Sequence, residues 1–162
     1  MDKTSCSNYT NVEVDYGDKI SKRIYSVLDF LNWYNSNQID IDYKESISTI
    51  TDEEIYKVIS CIIHRVPLPQ IILTLETIPD ELKIIRKIIY GEKLIAIILS
   101  FVNSEIVLNE FSDYLFAGYR YDDLSDRIKE NLLTYELFIT EVKDSSRNQK
   151  EILSNMLVSY AD

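Results

Sequence analysis

At 162 residues, 46% of them hydrophobic, the chain is long enough for one domain to bury a core without metals or crosslinks, and global disorder is disfavoured. Seventeen basic residues against 27 acidic ones leave a net charge of −10. Unaided binding to a nucleic-acid duplex is therefore disfavoured, because it needs a basic face that displaces counterions from phosphates.

The basic residues that do gather, Lys83, Arg86, Lys87 and Lys93, are expected to form a solvated face. Cys6, Cys61 and His64 are too few for the roughly four ligands of a zinc site, so no metal and no disulfide framework is expected. The opening MDKTSCSNYTN lacks the apolar stretch of a signal peptide, and no run approaches the roughly 18 apolar residues of a membrane span. A cytoplasmic location is the expectation. Gly and Pro number three each, which leaves little room for a linker. One domain over 19–162 is expected, behind an N-terminal tail over 1–18. The 24 isoleucines against three alanines follow no folding rule and resemble the codon bias of an AT-rich genome, such as that of a large DNA virus.

In chain order, Val12 and Val14 alternate with Glu13 and Asp15, which predicts a short edge strand. Ser26 is a good N-cap, and Val27, Leu28, Phe30, Leu31 and Tyr34 give the following helix an apolar stripe that ends at Asn35-Ser36-Asn37. Ile39 and Ile41 alternate with Asp40 and Asp42, and a polar stretch runs from Lys44 to Thr49. Thr51 and Glu54 make a capping box for a helix reaching about His64, with Ile55, Val58, Ile59, Ile62 and Ile63 inward. Pro67 and Pro69 stop it, and Gln70 to Leu75 reads as a buried strand. Residues 79 to 89 fit either a helix from Pro79 or a turn over 78–81 followed by a strand over 82–89. Gly91 to Phe101 predicts a strongly apolar helix, Glu105 to Leu108 a short strand, and 116–119 an aromatic turn. Leu124 to Leu133 predicts a helix, Tyr135 to Val142 a strand with Leu137, Ile139 and Val142 inward, and Gln149 to Ser159 a last helix.

Four of these segments together resemble the ParB-like domain of the GmrSD type IV restriction family. Tyr25-Ser26-Val27-Leu28-Asp29-Phe30-Leu31-Asn32-Trp33 is similar to that family's Y-S-V-x-D-L-L-x-W helix, and Val66-Pro67-Leu68-Pro69 to its G-I-P-I-P turn. Gly91 to Glu105 aligns with its D-G-Q-Q-R-L-T-A-I loop and helix, ending in Phe101-Val102-Asn103-Ser104-Glu105, and Leu124 to Leu137 with its late helix and strand. The resemblance implies an α+β fold: a single ParB/sulfiredoxin-like domain with a small mixed sheet packed by about four to five helices. It also favours the strand over 82–89, since a hairpin precedes the loop in that family.

The resemblance implies a nucleotide-handling loop at residues 90–94, and there this chain departs from the pattern. The family's aspartate is Tyr90 and its arginine is Leu94, leaving Tyr90-Gly91-Glu92-Lys93-Leu94. Leucine cannot hydrogen-bond a phosphate, and tyrosine is a poor substitute for an acid that handles a proton. The family's F-Q-R segment is Tyr43-Lys44-Glu45, with an acid in place of the arginine unless Lys44 takes over that role. Gly91 is expected to remain for the backbone corner. The competing expectation is a re-purposed site, with Lys44 and Lys93 gripping an anion and Glu92 as base.

Neither common phosphate-cradling glycine motif occurs, and a sole histidine excludes an H-N-H nuclease centre. Asp52, Glu53 and Glu54 suit a helix's first turn better than a metal cluster. Tyr114, Phe116, Tyr119 and Tyr121 form an aromatic run that is expected either to anchor a protein partner or to pack in the core. Together these readings predict a non-enzymatic protein-interaction or structural module, such as a viral assembly or virion component. It would have no catalytic residue, cofactor, metal or membrane span, and a protein partner. The alternatives are an antagonist of a host restriction system and a residual nucleotide-binding hydrolase.

Overall fold

The computed structural model describes residues 20–108 and 116–143. The strand expected at Val12 and Val14 and the helix expected over 149–159 lie outside them. Within them the chain is an α+β domain: five strands form one mixed sheet, and five helices accompany it.

The first strand, β1 (Ile20–Ser26), runs without a loop into α1 (Val27–Asn35). Ser26 closes the strand and caps the helix. Its hydroxyl accepts from the Asp29 amide at 3.2 Å, and its own amide donates to the Asp29 carboxylate at 2.7 Å. Val27, Phe30 and Leu31 are buried, but Leu28 is 44% exposed, so the expected stripe narrows at that position. Next come β2 (Ile39–Asp40) and a short helix, α2 (Tyr43–Ile47), where a polar stretch was expected. Asp42 caps α2 by accepting from the Glu45 amide. The Thr51–Glu54 capping box opens α3 (Asp52–Ile63), which buries Ile55, Tyr56, Ile59 and Ile62.

Beyond the proline turn, β3 (Ile71–Ile78) and β4 (Lys83–Tyr90) form an antiparallel hairpin. The strand reading of 82–89 therefore holds. A 3-10 turn over Pro79–Glu81 joins them, and Leu82 follows it with a φ of 48°. Gly91 then leads into α4 (Glu92–Val102), in which every residue from Ile95 to Phe101 is buried. Residues 105–108 do not form the expected strand. Leu108 instead donates its amide to the Tyr119 carbonyl and accepts from Gly118, which closes a loop. The described chain finishes with α5 (Asp126–Leu133) and β5 (Glu136–Lys143).

The strand order is β1-β5-β3-β4-β2, with β1–β5 and β3–β4 antiparallel and β5–β3 and β4–β2 parallel. Ile71, Leu73, Leu137 and Ile139 join α1, α3 and α4 in one apolar core. Ile24 and Phe138, paired across β1 and β5, stay half-exposed on the other face. The loop after α3 is strapped down by Tyr135, whose hydroxyl donates to the Val66 carbonyl at 2.7 Å and accepts from the Leu68 amide at 3.0 Å.

Candidate functional site

The corner singled out by the sequence is a strand–turn–helix. β4 ends at Tyr90, Gly91 turns with φ +95° and ψ 17°, and Glu92 begins α4. A Cβ on Gly91 would lie 2.9 Å from Ile71 Cγ1, and Ile71 is fully buried. Glycine is thus required twice here, for the left-handed backbone and for the close approach to β3.

Beside the corner lies a cleft of about 490 Å³ between α3, Pro69-Gln70 and the start of α4. Ile50, Val58, Ile89, Leu94 and Ile97 line it, and Tyr90, 37% exposed, stands at its edge. Glu54, Lys57, Glu92 and Lys93 also border it, and both of these lysines are already paired. Lys93 Nζ is 3.6 Å from Glu54 and Lys57 Nζ is 2.8 Å from Glu53. The Glu54 carboxyl is held below its usual range by the Thr51 amide that donates to it, and Lys93 adds to the effect. Glu92 accepts from the Ser46 hydroxyl.

Lys44 does not meet Lys93. Its ammonium is 3.8 Å from Glu105, beyond the C-terminal end of α4, whereas Lys93 sits in that helix's first turn. Eleven residues of helix separate the two ends by roughly 16 Å. Glu105 also accepts from the Tyr43 hydroxyl at 2.8 Å, and Asn103 donates to the same hydroxyl at 3.2 Å. Of the six corner residues, then, Tyr90, Gly91, Glu92, Lys93 and Leu94 share the cleft and Lys44 stands apart.

The aromatic run divides. Phe116 and Tyr121 pack against the core, Tyr121 edge-on to Phe101 with ring centroids 6.1 Å apart. Tyr119 is 41% exposed, and Tyr114 lies outside the described residues. Packing of Phe116 and Tyr121 leaves Tyr119 as the exposed large aromatic of the run among the described residues.

The sequence reading missed a polar cluster built on the sheet. Glu141 is only 3% exposed. It accepts from the Tyr25 hydroxyl at 2.7 Å and faces Arg23 Nε at 4.0 Å. Arg86, expected on a solvated face, is half-buried, and its guanidinium lies 3.9 Å from the centre of the Trp33 ring. Tyr25 meets the same ring edge-on at 4.7 Å. Strand alternation carried the signal. Glu141 follows Leu137 and Ile139 at a spacing of two, so it turns inward with them.

Tyr25 and Tyr43 are alike in donating to a carboxylate from a desolvated position. Burial, then the hydrogen bond to Glu141 or Glu105, pushes each phenol from its ordinary value near 10.0 up to about 12. The unfolded chain therefore releases these protons first as pH rises. The stability contributed by both groups should be intact below pH 10 and lost between about pH 10 and 12. Urea unfolding at stepped alkaline pH checks this. A Tyr25→Phe, Tyr43→Phe double variant should show a shallower alkaline decline.

Among the described residues no helix is long and apolar enough to cross a membrane, and no group of three or more His, Cys, Asp or Glu side chains is placed to hold a metal ion. No family model, curated protein or solved structure matches the chain.

Proposed function

We propose that the domain is a non-enzymatic protein-interaction module of ParB-like descent, in which the corner over 90–94 has kept its backbone and given up phosphate chemistry. The observation that carries this reading is the internal neutralisation of the corner's cations. Lys93 is matched by Glu54 and Lys44 by Glu105, so neither is available to a triphosphate without breaking an existing pair. The cleft beside Lys93 presents Ile50, Val58, Leu94 and Ile97, a lining that suits an apolar side chain of a partner protein better than a polyanion. Glu92 at the helix start would repel a phosphate from the amides that would otherwise receive it.

Calorimetric titration with GTP, ATP and CTP in the presence of magnesium tests the first half. All three should be silent at concentrations up to about 1 mM, where even millimolar affinity would register. Saturable heat with any nucleotide, abolished by Lys93→Glu, would overturn it. The second half is tested by affinity capture from the native host with mass spectrometry, comparing the parent chain with Leu94→Asp. A partner retained by the first and lost by the second is expected, and equal recovery would remove the cleft from the interface.

A further inference from the structure

We propose that Arg86, together with Arg23 on the far side of Glu141, forms a receptor for a small oxyanion, the phosphate or carboxylate group of a ligand, on the sheet face that carries Trp33. The site is separate from the 90–94 corner and does not depend on the function proposed for it.

Charge gives the first reason. Arg23 and Arg86 bring two positive charges and Glu141 one negative charge, so the cluster holds one unbalanced cation in a chain whose net charge is −10. The hydrogen bonds give the second. Glu141 already accepts from Tyr25, and Arg23 faces its other oxygen. Arg86 Nε is buried without an acceptor among the described residues, and so is the Ser21 hydroxyl, which lies opposite Glu141 in the β1–β5 register. A buried donor without an acceptor is costly, and an incoming oxyanion would relieve that cost.

Preorganisation is the third reason. Stacking on Trp33 fixes the plane of the Arg86 guanidinium, and a fixed planar fork matches the two oxygens of a carboxylate or phosphate. The register places Arg86 and Glu141 on the same sheet face, since Leu73 pairs with Glu141 while Leu75, two residues on, pairs with Arg86. Arg23 keeps 55% of its side chain exposed, so the cluster opens to solvent along β1. Burial also pulls the Arg86 pKa down, and Glu141 offsets that effect only in part.

Trp33 is the only tryptophan of the chain and therefore reports directly on Arg86. The full chain would be titrated with inorganic phosphate and, separately, with acetate, against chloride at constant ionic strength, while Trp33 emission is followed. A saturable change is expected with one of the two oxyanions, and which one responds identifies the group. Its midpoint should rise at least about tenfold in Arg86→Gln, as expected for loss of a charge-assisted bidentate contact, rise less in Arg23→Gln, and stay unchanged in Arg65→Gln. Circular dichroism confirms that each variant is folded. Should Arg86→Gln fail to fold, the exposed Arg23→Gln carries the comparison. No saturable response with either oxyanion, or one that persists unchanged in both cluster variants, overturns the proposal.

Discussion

Gly91→Val should destabilise the domain by about 2–5 kcal/mol, a large part of the roughly 5–15 kcal/mol that holds a typical domain together. Two costs combine. A β-branched residue at φ +95° occupies backbone space that side chains rarely enter, at about 1–2 kcal/mol. Its Cβ also arrives 2.9 Å from Ile71 Cγ1 on the central strand, and overpacking of that kind costs about 1–3 kcal/mol more. Ile71 cannot swing aside, because it is fully buried between neighbouring strands and the helices above. Urea denaturation of Gly91→Val and Gly91→Ala measures the effect. Alanine should lose less than valine, and a loss below about 1 kcal/mol for valine would show that the corner relaxes freely.

Phe101→Ala should cost about 3–5 kcal/mol, the range for removing a fully buried aromatic ring. Phe101 is 0% exposed near the end of α4, and its ring meets Tyr121 edge-on. Seven consecutive buried residues make α4 the centre of the core, with α2 and α3 packed on it. Tyr119→Ala, on the same aromatic run but exposed, should stay within about 0.5 kcal/mol. The contrast between the two in one thermal or urea series separates the core aromatics from the surface one.

How much of this was legible in the sequence varies with the distance over which each signal acts. Capping boxes are local, so Ser26 and the Thr51–Glu54 pair marked two helix starts correctly. Gly91 likewise marked its corner, because a positive φ is a property of one residue. The five-residue α2 was missed because a helix that short shows no repeating stripe. Asp42 with Glu45 three residues on was its available cue. β1 was missed because Ile20-Ser21-Lys22-Arg23-Ile24-Tyr25-Ser26 does not alternate. Among the described residues it is an edge strand, and its inward positions carry Arg23 and Tyr25 rather than aliphatics. Residues 105–108 have β propensity, but the Glu105 amide donates to the Ser100 carbonyl and Leu108 bonds to Gly118 and Tyr119.

The candidate site was half legible. The cleft's corner residues were named from the sequence, but their partners come from other elements. Nothing in the spacing shows that Glu54 neutralises Lys93, or that Glu105 draws Lys44 to the opposite end of α4. Arg86 shows the same limit. Four basic residues in eleven looked like a wet face, yet strand pleating sends Arg86 inward onto Trp33 while Lys87 points the other way to Glu76. Only the assembled sheet distinguishes them.

The hydrogen bond from Tyr25 to Glu141 spans 116 residues of sequence. A chain emerging from the ribosome therefore exposes β1 long before its only strand partner in the described sheet has been translated. During that interval the strand's unpaired edge and Ile24 are available to any passing polypeptide, and Lys22 and Arg23 on the same strand are charges of the kind that discourage such encounters. Closure of the described sheet by β5 is then a late, slow event in the life of the nascent protein, and demand for a chaperone would be greatest just before it.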